Sequence, residues 1–359
     1  MVRPLRPPTT RRSRPIGRVL GAWALLAVVA LLSTPVSHRV GAGVTGLAFL
    51  VEFLTEGRHP WLSHRTPPPV VQPLGALAGA EGAAPDLWHP GGRSHGPWPG
   101  LVLIHGLTPD GKRDLRLTWA AGLLARAGFA VAVPELPALK AQQLRPGDAA
   151  VVRDALDRLA ANPAVRRGPV AVLAVSVGLG PVALALDEPA VADRVGLVVA
   201  LGGYAEAREL VRYFTTGAYA FDGTAGRTAV DPTLAGSFLG RNLDLAPDAR
   251  AVLALLQNRD PARVDTLLDA MPSRTRDLLE ALSPARHLGR TRARLLLVHG
   301  REDPAIPFTE SLRLAAAAPD RSRLVIVELV GHVEGQAPSW RQLADFVRLW
   351  SVCYELLAD

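Results

Sequence analysis

Cysteine is almost absent from this chain, which has a single one, Cys353, among its 359 residues. One cysteine cannot form an internal disulfide, and it excludes metal sites that are built from several cysteines. The histidines do not form a motif of two histidines and a carboxylate either. The sequence therefore predicts a chemistry that needs neither a metal ion nor another cofactor.

Acidic residues are missing from the first 18 positions, which contain six arginines. Without those six charges the net charge of +7 falls to +1, so the rest of the chain is nearly neutral. A basic stripe interleaved with aromatic residues, as on nucleic-acid-binding surfaces, is also missing. We therefore do not expect nucleic acid to be a partner.

An apolar run follows this basic flank at residues 19–32 and extends to residue 36. Such a layout is typical of an export signal or an N-terminal membrane anchor, and a span needs about 20 residues. The best small residues for cleavage, Val40-Gly41-Ala42, lie rather far from the run, which favours an uncleaved anchor at 19–36. We expect residues 1–18 in the cytoplasm and the remainder outside, or a secreted protein if the segment is cleaved.

The next segment, residues 37–84, has apolar residues at helical spacing, among them Val44, Leu47, Val51 and Leu54. This pattern predicts an amphipathic helix that lies at the membrane surface or packs on the domain that follows. Three consecutive prolines at 67–69 end the helical region, and the remainder is predicted to be a linker arm.

From residue 85 onward, short apolar runs alternate with helical patterns, which indicates a doubly wound, mostly parallel sheet covered on both faces. Strands are predicted at 86–90 (an edge strand), 101–104, 129–133, 169–175, 195–201, 294–298 and 323–329. The gap between 201 and 294 is far longer than one crossover helix needs, which is about a dozen to twenty residues. We therefore predict an α/β core at 85–204 and 291–359, interrupted by a helical cap at 205–290.

A strand, a sharp turn and a helix are predicted around Ala174-Val175-Ser176-Val177-Gly178. This pattern differs from G-x-S-x-G only by an alanine in place of the first glycine. The strained turn exposes the serine hydroxyl and directs the next backbone N–H toward the group that the hydroxyl attacks. Ser176 is therefore a candidate nucleophile.

A serine nucleophile needs a neutral histidine to accept its proton and a carboxylate to orient that histidine. Asp303 lies in the loop after the strand at 294–298, with Glu302 as its neighbour, and His332 begins the loop after the last strand. Both loops follow the carboxyl ends of parallel strands, where ligand sites form. We expect Asp303 as the acid and His332 as the base.

Two backbone N–H groups are candidates for an oxyanion hole. Val177 follows the nucleophile, and Leu107 follows Gly106 in the loop after the strand at 101–104. Donors of this kind each contribute about 3–4 kcal/mol to stabilising the transition state. The neighbouring His105 and the strand-end His299 are predicted to shape their loops and not to act as catalysts.

The His-Gly after an early strand, the Ser176 elbow, the His-Gly-Arg-Glu-Asp turn and the final Gly-His together resemble the α/β-hydrolase fold family. The resemblance covers roughly residues 85–357 and extends to dienelactone-hydrolase-like bacterial proteins. It implies Ser176, Asp303 and His332 as nucleophile, acid and base, acting on an ester, thioester, amide or lactone. Those bacterial proteins often have cysteine where this chain has Ser176, so their substrate is not carried over.

These features predict a membrane-anchored serine hydrolase, like a carboxylesterase or lipase, that cleaves small-molecule or lipid-like esters. Acyl transfer, thioester cleavage and peptide cleavage share the acyl-enzyme and stay open. A catalytically silent binding module at the membrane is an alternative of another class. Six residues of the cap either line an acyl pocket or form the cap's own core: Leu210, Tyr213, Phe214, Tyr219, Phe221 and Phe238.

Overall fold

The computed structural model describes residues 35–75, 84–92, 95–230, 236, 240–242, 249–289, 291–328 and 340–358. Its strands are β1 (Val70–Pro73), β2 (Asp86–His89), β3 (Gly100–Ile104), β4 (Ala130–Val133), β5 (Val170–Val175), β6 (Val195–Leu201), β7 (Ala218–Phe221), β8 (Thr224–Arg227), β9 (Arg294–Gly300) and β10 (Ser322–Val327). Its helices are α1 (Pro35–Leu54), α2 (Leu115–Arg126), α3 (Pro137–Lys140), α4 (Asp148–Ala161), α5 (Leu179–Ala185), α6 (Pro189–Ala192), α7 (Ala207–Thr216), α8 (Ala249–Gln257), α9 (Val264–Asp269), α10 (Ser273–Ala281), α11 (Pro284–Leu288), α12 (Thr309–Ala317) and α13 (Trp340–Ala358).

Eight of these strands form one mixed sheet in the order β1-β2-β4-β3-β5-β6-β9-β10. All neighbouring pairs from β4 to β10 are parallel, and β2 pairs antiparallel with both β1 and β4. The central strands are near-continuous apolar runs because helices cover both faces of the sheet. The predicted doubly wound, mostly parallel sheet is confirmed, with one antiparallel strand near its edge.

The edge of the sheet differs from the prediction. The strand expected at the edge, β2, has β1 paired on its outer side. Residues 70–73 were expected in the linker arm, since all four are exposed and the pattern there does not alternate. Their pairing depends on the neighbouring strand and not on burial, and Pro73 is tolerated because edge strands accept proline.

Helix α1 packs on the domain, which is one of the two alternatives for the predicted amphipathic helix. A Cβ at Gly46 would lie 3.3 Å from the Tyr354 backbone nitrogen of α13, so the two helices are in close contact there. The Trp350 indole N–H also donates to the Gly43 carbonyl at 2.9 Å. Leu50 of α1 belongs to the same apolar cluster as the inner residues of α2 and α13.

The predicted membrane segment at 19–36 lies outside the described residues except for its last two positions. Within the described ranges, no helix combines the length and the apolar character that crossing a bilayer requires.

A helical cap was predicted at residues 205–290. The segment between β6 and β9 contains helices α7–α11 and also a β-hairpin that was not predicted. The hairpin pairs β7 with β8 through a turn at Asp222-Gly223, where both residues have positive φ. An Asp-Gly pair between short strands is a strong hairpin signal, so the sequence did contain the information.

Contacts of this segment locate it at the carboxyl edge of the parallel strands. The Tyr213 hydroxyl donates to the Pro304 carbonyl in the loop after β9 at 3.0 Å. The Asn242 side-chain oxygen accepts from the Leu144 N–H, in the connection after β4, at 2.9 Å. The insertion therefore lies over the edge where ligand sites form in such sheets.

Candidate active site

Ser176 lies at the sharp turn between β5 and α5. Its φ of +55° lies in the left-handed region, which is uncommon for a residue with a side chain. The turn brings the backbone close to the loop after β3, since a Cβ at Gly178 would lie 2.5 Å from the His105 carbonyl oxygen. Glycine is therefore required at position 178, whereas Ala174 is accommodated in the core. The predicted strand, sharp turn and helix are present around Ser176, and the role of Ser176 as a nucleophile stays a prediction.

The loop after β3 passes directly beside this elbow. A Cβ at Gly106 would lie 3.1 Å from the Ser176 Cβ and 3.8 Å from the Ser176 Oγ. The two segments that carry the predicted oxyanion donors, Leu107 and Val177, are therefore neighbours. Val177 is buried and Leu107 is half-buried, which limits the access of water to this region.

His105 holds this loop in place. Its Nδ1–H donates to the Gly106 carbonyl at 2.8 Å, because a carbonyl can only accept, and its Nε2 accepts from the Leu136 N–H at 3.1 Å. Burial lowers the pKa of His105, which favours the neutral ring that these two bonds require. His105 therefore joins the loops after β3 and β4, in agreement with its predicted structural role.

Asp303 lies between the ends of β6 and β9. Its Oδ1 accepts from the N–H groups of Ala305 and Ile306 at 2.8 and 3.1 Å. A Cβ at Gly202, the first residue after β6, would lie 3.1 Å from Asp303 Oδ2. One carboxylate oxygen is thus fixed by the backbone, and the other lies beside the end of β6. The neighbouring Glu302 is exposed.

His299 supports the loop after β9 that carries the predicted acid, Asp303, and that we call the acid loop. Its Nε2–H donates to the Ile306 carbonyl at 2.9 Å, and its Nδ1 accepts from the Ser311 hydroxyl at 2.6 Å. Burial lowers the pKa of His299, which favours the neutral ring, and both ring nitrogens have a hydrogen-bond partner. The His299 Nε2 atom lies 3.6 Å from Asp303 Oδ2. His299 is thus a packed residue at the end of its strand.

The predicted base, His332, lies outside the described residues, as does most of the loop that follows β10. Ser176 follows β5 and Asp303 follows β9, with β6 between them. At a strand spacing of about 4.8 Å, the ends of β5 and β9 are about 10 Å apart. A histidine that bridges Ser176 and Asp303 would have to come from a loop other than the two that carry these residues.

A cavity of about 530 Å³ lies between the β7–β8 hairpin and the acid loop. Its walls carry aromatic, hydroxyl and charged side chains, among them Tyr213, Tyr219, Thr228, Arg301, Asp303 and Phe308. The Arg301 guanidinium lies over the Phe308 ring, 4.9 Å from its centroid. Arg301 and Phe308 were not among the predicted pocket residues, although both lie within five residues of Asp303.

The six cap residues that were predicted to line an acyl pocket or to form the cap's own core lie in different surroundings. Tyr213 and Tyr219 line the cavity, whereas Leu210 and Phe214 belong to the main apolar core. The Phe221 ring lies under the Arg313 guanidinium at 4.7 Å. Phe238 lies outside the described residues.

A model of the alpha/beta hydrolase family matches residues 101–349 of this chain. The matched range includes β3, the Ser176 elbow, the acid loop and most of α13. The chain therefore belongs to the alpha/beta hydrolase family. No curated protein matches the sequence.

Several solved structures are similar to this chain. Acylaminoacyl peptidase from Pyrococcus horikoshii is 17% identical with a TM-score of 0.46, over 81% of this chain and 41% of that one. Est1E from Butyrivibrio proteoclasticus is 12% identical with a TM-score of 0.48, over 82% and 100%. Dienelactone hydrolase from Anabaena variabilis is 17% identical with a TM-score of 0.44, over 81% and 97%. The chain thus spans about two fifths of the length of the peptidase.

Proposed function

We propose that this protein is a serine hydrolase that cleaves carboxylic esters through an acyl-enzyme on Ser176. The main support is the left-handed φ of Ser176 at a turn that packs against Gly106. A strained serine at the carboxyl edge of a parallel sheet is the arrangement that exposes a nucleophilic hydroxyl. Membership of the alpha/beta hydrolase family agrees with this reaction class.

In the proposed reaction, the Ser176 hydroxyl attacks the ester carbonyl carbon and His332 accepts its proton. Asp303 orients the imidazole and stabilises it while it is charged. The N–H groups of Leu107 and Val177 bind the oxyanion of the tetrahedral intermediate. The intermediate expels an alcohol, which takes the proton from His332. Water then attacks the acyl-enzyme by the same route and releases the acid.

Asp303 suits the role of acid better than Glu302 does. The two backbone N–H groups that donate to its Oδ1 fix the orientation of the carboxylate and therefore the direction of Oδ2. Glu302 is exposed, and within the described part of the chain no pair of backbone N–H groups holds its carboxylate. A carboxylate must be held still to orient an imidazole, which favours Asp303.

The cavity beside Asp303 is the proposed binding site for one part of the ester. Its volume of about 530 Å³ lies within the usual range for small-molecule sites, about 300–1,000 Å³. The rings of Tyr213, Tyr219 and Phe308 offer apolar contact, and the threonine hydroxyls and Arg301 offer hydrogen bonds. This lining supports a small or medium-sized ester group that carries an oxygen substituent.

The test is the turnover of p-nitrophenyl esters by the purified full chain and by Ser176→Ala. We expect the substitution to lower kcat by at least about 10³-fold, because a triad without its nucleophile retains little activity. Ser273→Ala, at an exposed serine that begins α10, is the matched control and should keep full activity.

A fluorophosphonate probe distinguishes this proposal from a catalytically silent binding module. It should label Ser176 in the folded wild-type chain and leave Ser176→Ala unlabelled. Equal ester turnover by the two proteins, or no labelling of the folded wild type, would rule out the proposed function. Offering alcohols or amines together with water then separates hydrolysis from acyl transfer.

The N-terminal sequence supports a location for this activity. We infer that the apolar segment 19–36, behind six arginines, anchors the chain in a membrane with the catalytic domain outside.

A further inference from the structure

Large apolar side chains are exposed mainly on one side of the molecule. Those on or next to α1, α2 and α13 are Val40, Val44, Phe53, Trp61, Leu115, Trp119, Leu343 and Val347. Among the described residues, the other exposed large apolar side chains are Val70 and Val71 on the edge strand and Leu253 in the insertion. Single exposed apolar residues are ordinary, but seven on three neighbouring helices, with Trp61 on the turn after α1, are a feature of that face.

These three helices form one layer on one face of the sheet. The inner residues Leu50 of α1, Leu124 of α2 and Val352 of α13 share an apolar cluster with β3, β4, β9 and β10. Helices α4, α5 and α12 cover the opposite face and carry no exposed large apolar residue within the described part of the chain. We call the solvent side of α1, α2, α13 and the turn at 55–66 the outer apolar face.

The chain direction relates this face to the catalytic edge. Helix α2 follows β3, and α13 follows β10, so both helices begin at the edge where the parallel strands end. Leu115 and Trp119 lie in the first two turns of α2, and Leu343 and Val347 in the first two turns of α13. Leu115 is the most exposed of them, at 84%.

Basic side chains accompany the apolar ones. Arg39, Arg58, Arg65 and Arg116 are exposed on these helices and on the turn, against one exposed acid of the turn, Glu56, and Arg113 is exposed just before α2. The acid of α1, Glu52, is buried and accepts from the Leu62 and Ser63 N–H groups at 2.8 and 2.9 Å, so its charge is satisfied internally. Arginines beside exposed Trp, Phe and Leu are the composition of surfaces that bind anionic lipid interfaces.

The chain outside the described residues reaches the molecule at this same face. Residues 19–34 are almost entirely apolar in sequence and connect directly to Pro35, the first residue of α1. A bilayer that holds this segment lies next to the start of α1. Val40 and Val44, the first exposed apolar residues of α1, are within ten positions of that junction.

We propose that the outer apolar face rests on an anionic lipid bilayer, with Leu115 and Leu343 in contact with lipid. Apolar side chains enter the interfacial region, and the exposed arginines pair with anionic headgroups. The proposed N-terminal anchor brings this face to the membrane, so the inference depends on the anchor. It does not depend on the proposed ester hydrolysis. It orients the catalytic edge, where α2 and α13 begin, near the membrane surface.

Single-cysteine labelling of the full chain tests this contact. In a Cys353→Ala background, Leu115→Cys and Leu343→Cys each receive an environment-sensitive fluorophore. Leu253→Cys is the matched control, because Leu253 is 53% exposed and Leu343 is 48% exposed, on different sides of the molecule. The proteins are reconstituted in vesicles of equal parts phosphatidylcholine and phosphatidylglycerol, with and without a lipid-borne quencher.

We expect labels at 115 and 343 to shift to the blue and to be quenched several-fold more than the label at 253. Equal, weak quenching of all three in vesicles that retain the chain would overturn the docking while leaving the anchor intact. Label-to-label self-quenching at 115 and 343 without quenching by lipid would assign the face to a second copy of the chain, and would also overturn the proposal.

The contribution of charge has its own test. Arg58→Gln with Arg116→Gln should reduce the quenching at 115 in the anionic vesicles and leave it unchanged in pure phosphatidylcholine. Quenching that is equally deep in both kinds of vesicle for the unsubstituted arginines would overturn the requirement for anionic lipid.

Discussion

Ser176 and the glycines around it show how single residues set the geometry of the elbow. Ser176 takes a left-handed φ, and the backbone of Gly178 approaches the loop after β3. Gly106, in the loop after β3, lies close to the Ser176 side chain, so each of the two segments contributes a glycine to this contact. The absence of a Cβ at positions 106 and 178 thus allows the turn at Ser176 and the loop after β3 to approach each other.

Gly178→Ala is expected to destabilise the fold by about 1–3 kcal/mol, the usual cost of overpacking, and to lower ester turnover sharply. The added Cβ would lie 2.5 Å from a backbone carbonyl, which cannot yield as a flexible side chain can. Urea unfolding and p-nitrophenyl ester assays measure the two effects.

Gly147→Ala is the matched control. Position 147 precedes α4 with φ −59°, and a Cβ there would meet no atom within 4 Å. We expect a neutral or slightly stabilising effect, because alanine lowers the entropy of the unfolded chain. Similar losses in both variants would contradict the close approach at the elbow.

Glu310 ties the beginning of the insertion to the core. Its carboxylate is buried, and Oε2 accepts from the Ala205 and Glu206 N–H groups at 2.9 and 3.0 Å. Burial raises the pKa of Glu310 to about 7, although these bonds and Arg313 oppose the rise. Between about pH 4.5 and 7, Glu310 therefore keeps a proton in the folded state that it has already released in the unfolded chain.

The sign of the resulting pH dependence follows. A raised pKa in the folded state gives a stabilisation that is complete below about pH 4.5 and is lost as the pH rises through about 7. Glu310→Gln has no such loss, so we expect wild type to become less stable relative to this variant between pH 4.5 and 7. Unfolding free energies of both proteins at several pH values measure the difference. A difference that does not change with pH would contradict the raised pKa.

At the scale of elements, Arg313 of α12 connects the core to the β7–β8 hairpin. Its Nε donates to Glu310 Oε1 at 3.1 Å, a terminal nitrogen donates to the Ala220 carbonyl, and the guanidinium covers the Phe221 ring. The hairpin forms one wall of the cavity through Tyr219. Arg313 thus positions a cavity wall without lining the cavity itself.

Arg313→Gln is expected to raise KM several-fold and to change kcat little, because the hairpin lines the proposed binding cavity and does not carry any of the proposed catalytic residues. Arg313→Lys should recover only part of the effect, since lysine lacks the planar fork. Arg323→Gln, which removes a surface pair with Glu355, is the control and should leave KM unchanged. A fall in kcat with unchanged KM would contradict this role.

At the scale of the whole molecule, the sheet separates two different surfaces. One helix layer, with α4, α5 and α12, exposes no large apolar side chain among the described residues, and the other carries the outer apolar face. The insertion lies over the carboxyl edge between them. The proposed catalytic edge and the outer apolar face are therefore different sides of the same sheet.

The proposed anchor predicts how the full chain behaves in membranes. The wild type should stay in the membrane fraction after alkaline washing, whereas Leu25→Arg with Leu26→Arg should release it. Each arginine at the centre of a span costs about 2.5–3.5 kcal/mol. Leu253→Arg, at an exposed site of the insertion, should remain with the membrane. A shorter protein in the medium would instead indicate cleavage of the segment.

Local sequence determined the strands of the central sheet, since a buried parallel strand is an uninterrupted apolar run wherever it occurs. It also determined the sharp turn at Ser176 and the turn at Asp303, because each is a short motif whose geometry depends on adjacent residues, and their catalytic roles stay predictions. His332 was predicted in the same way and stays a prediction, since it lies outside the described residues.

Only the tertiary structure decided which distant segments meet. The packing of α1 on α13 and the attachment of the insertion through Glu310 and Arg313 each join residues far apart in the chain. The pairing of β1 with β2 joins two strands across a shorter connection. Such contacts leave no periodicity in sequence, because a single hydrogen bond or a small residue suffices on each side. The cavity and the outer apolar face follow from these contacts, and therefore appear only in the folded chain.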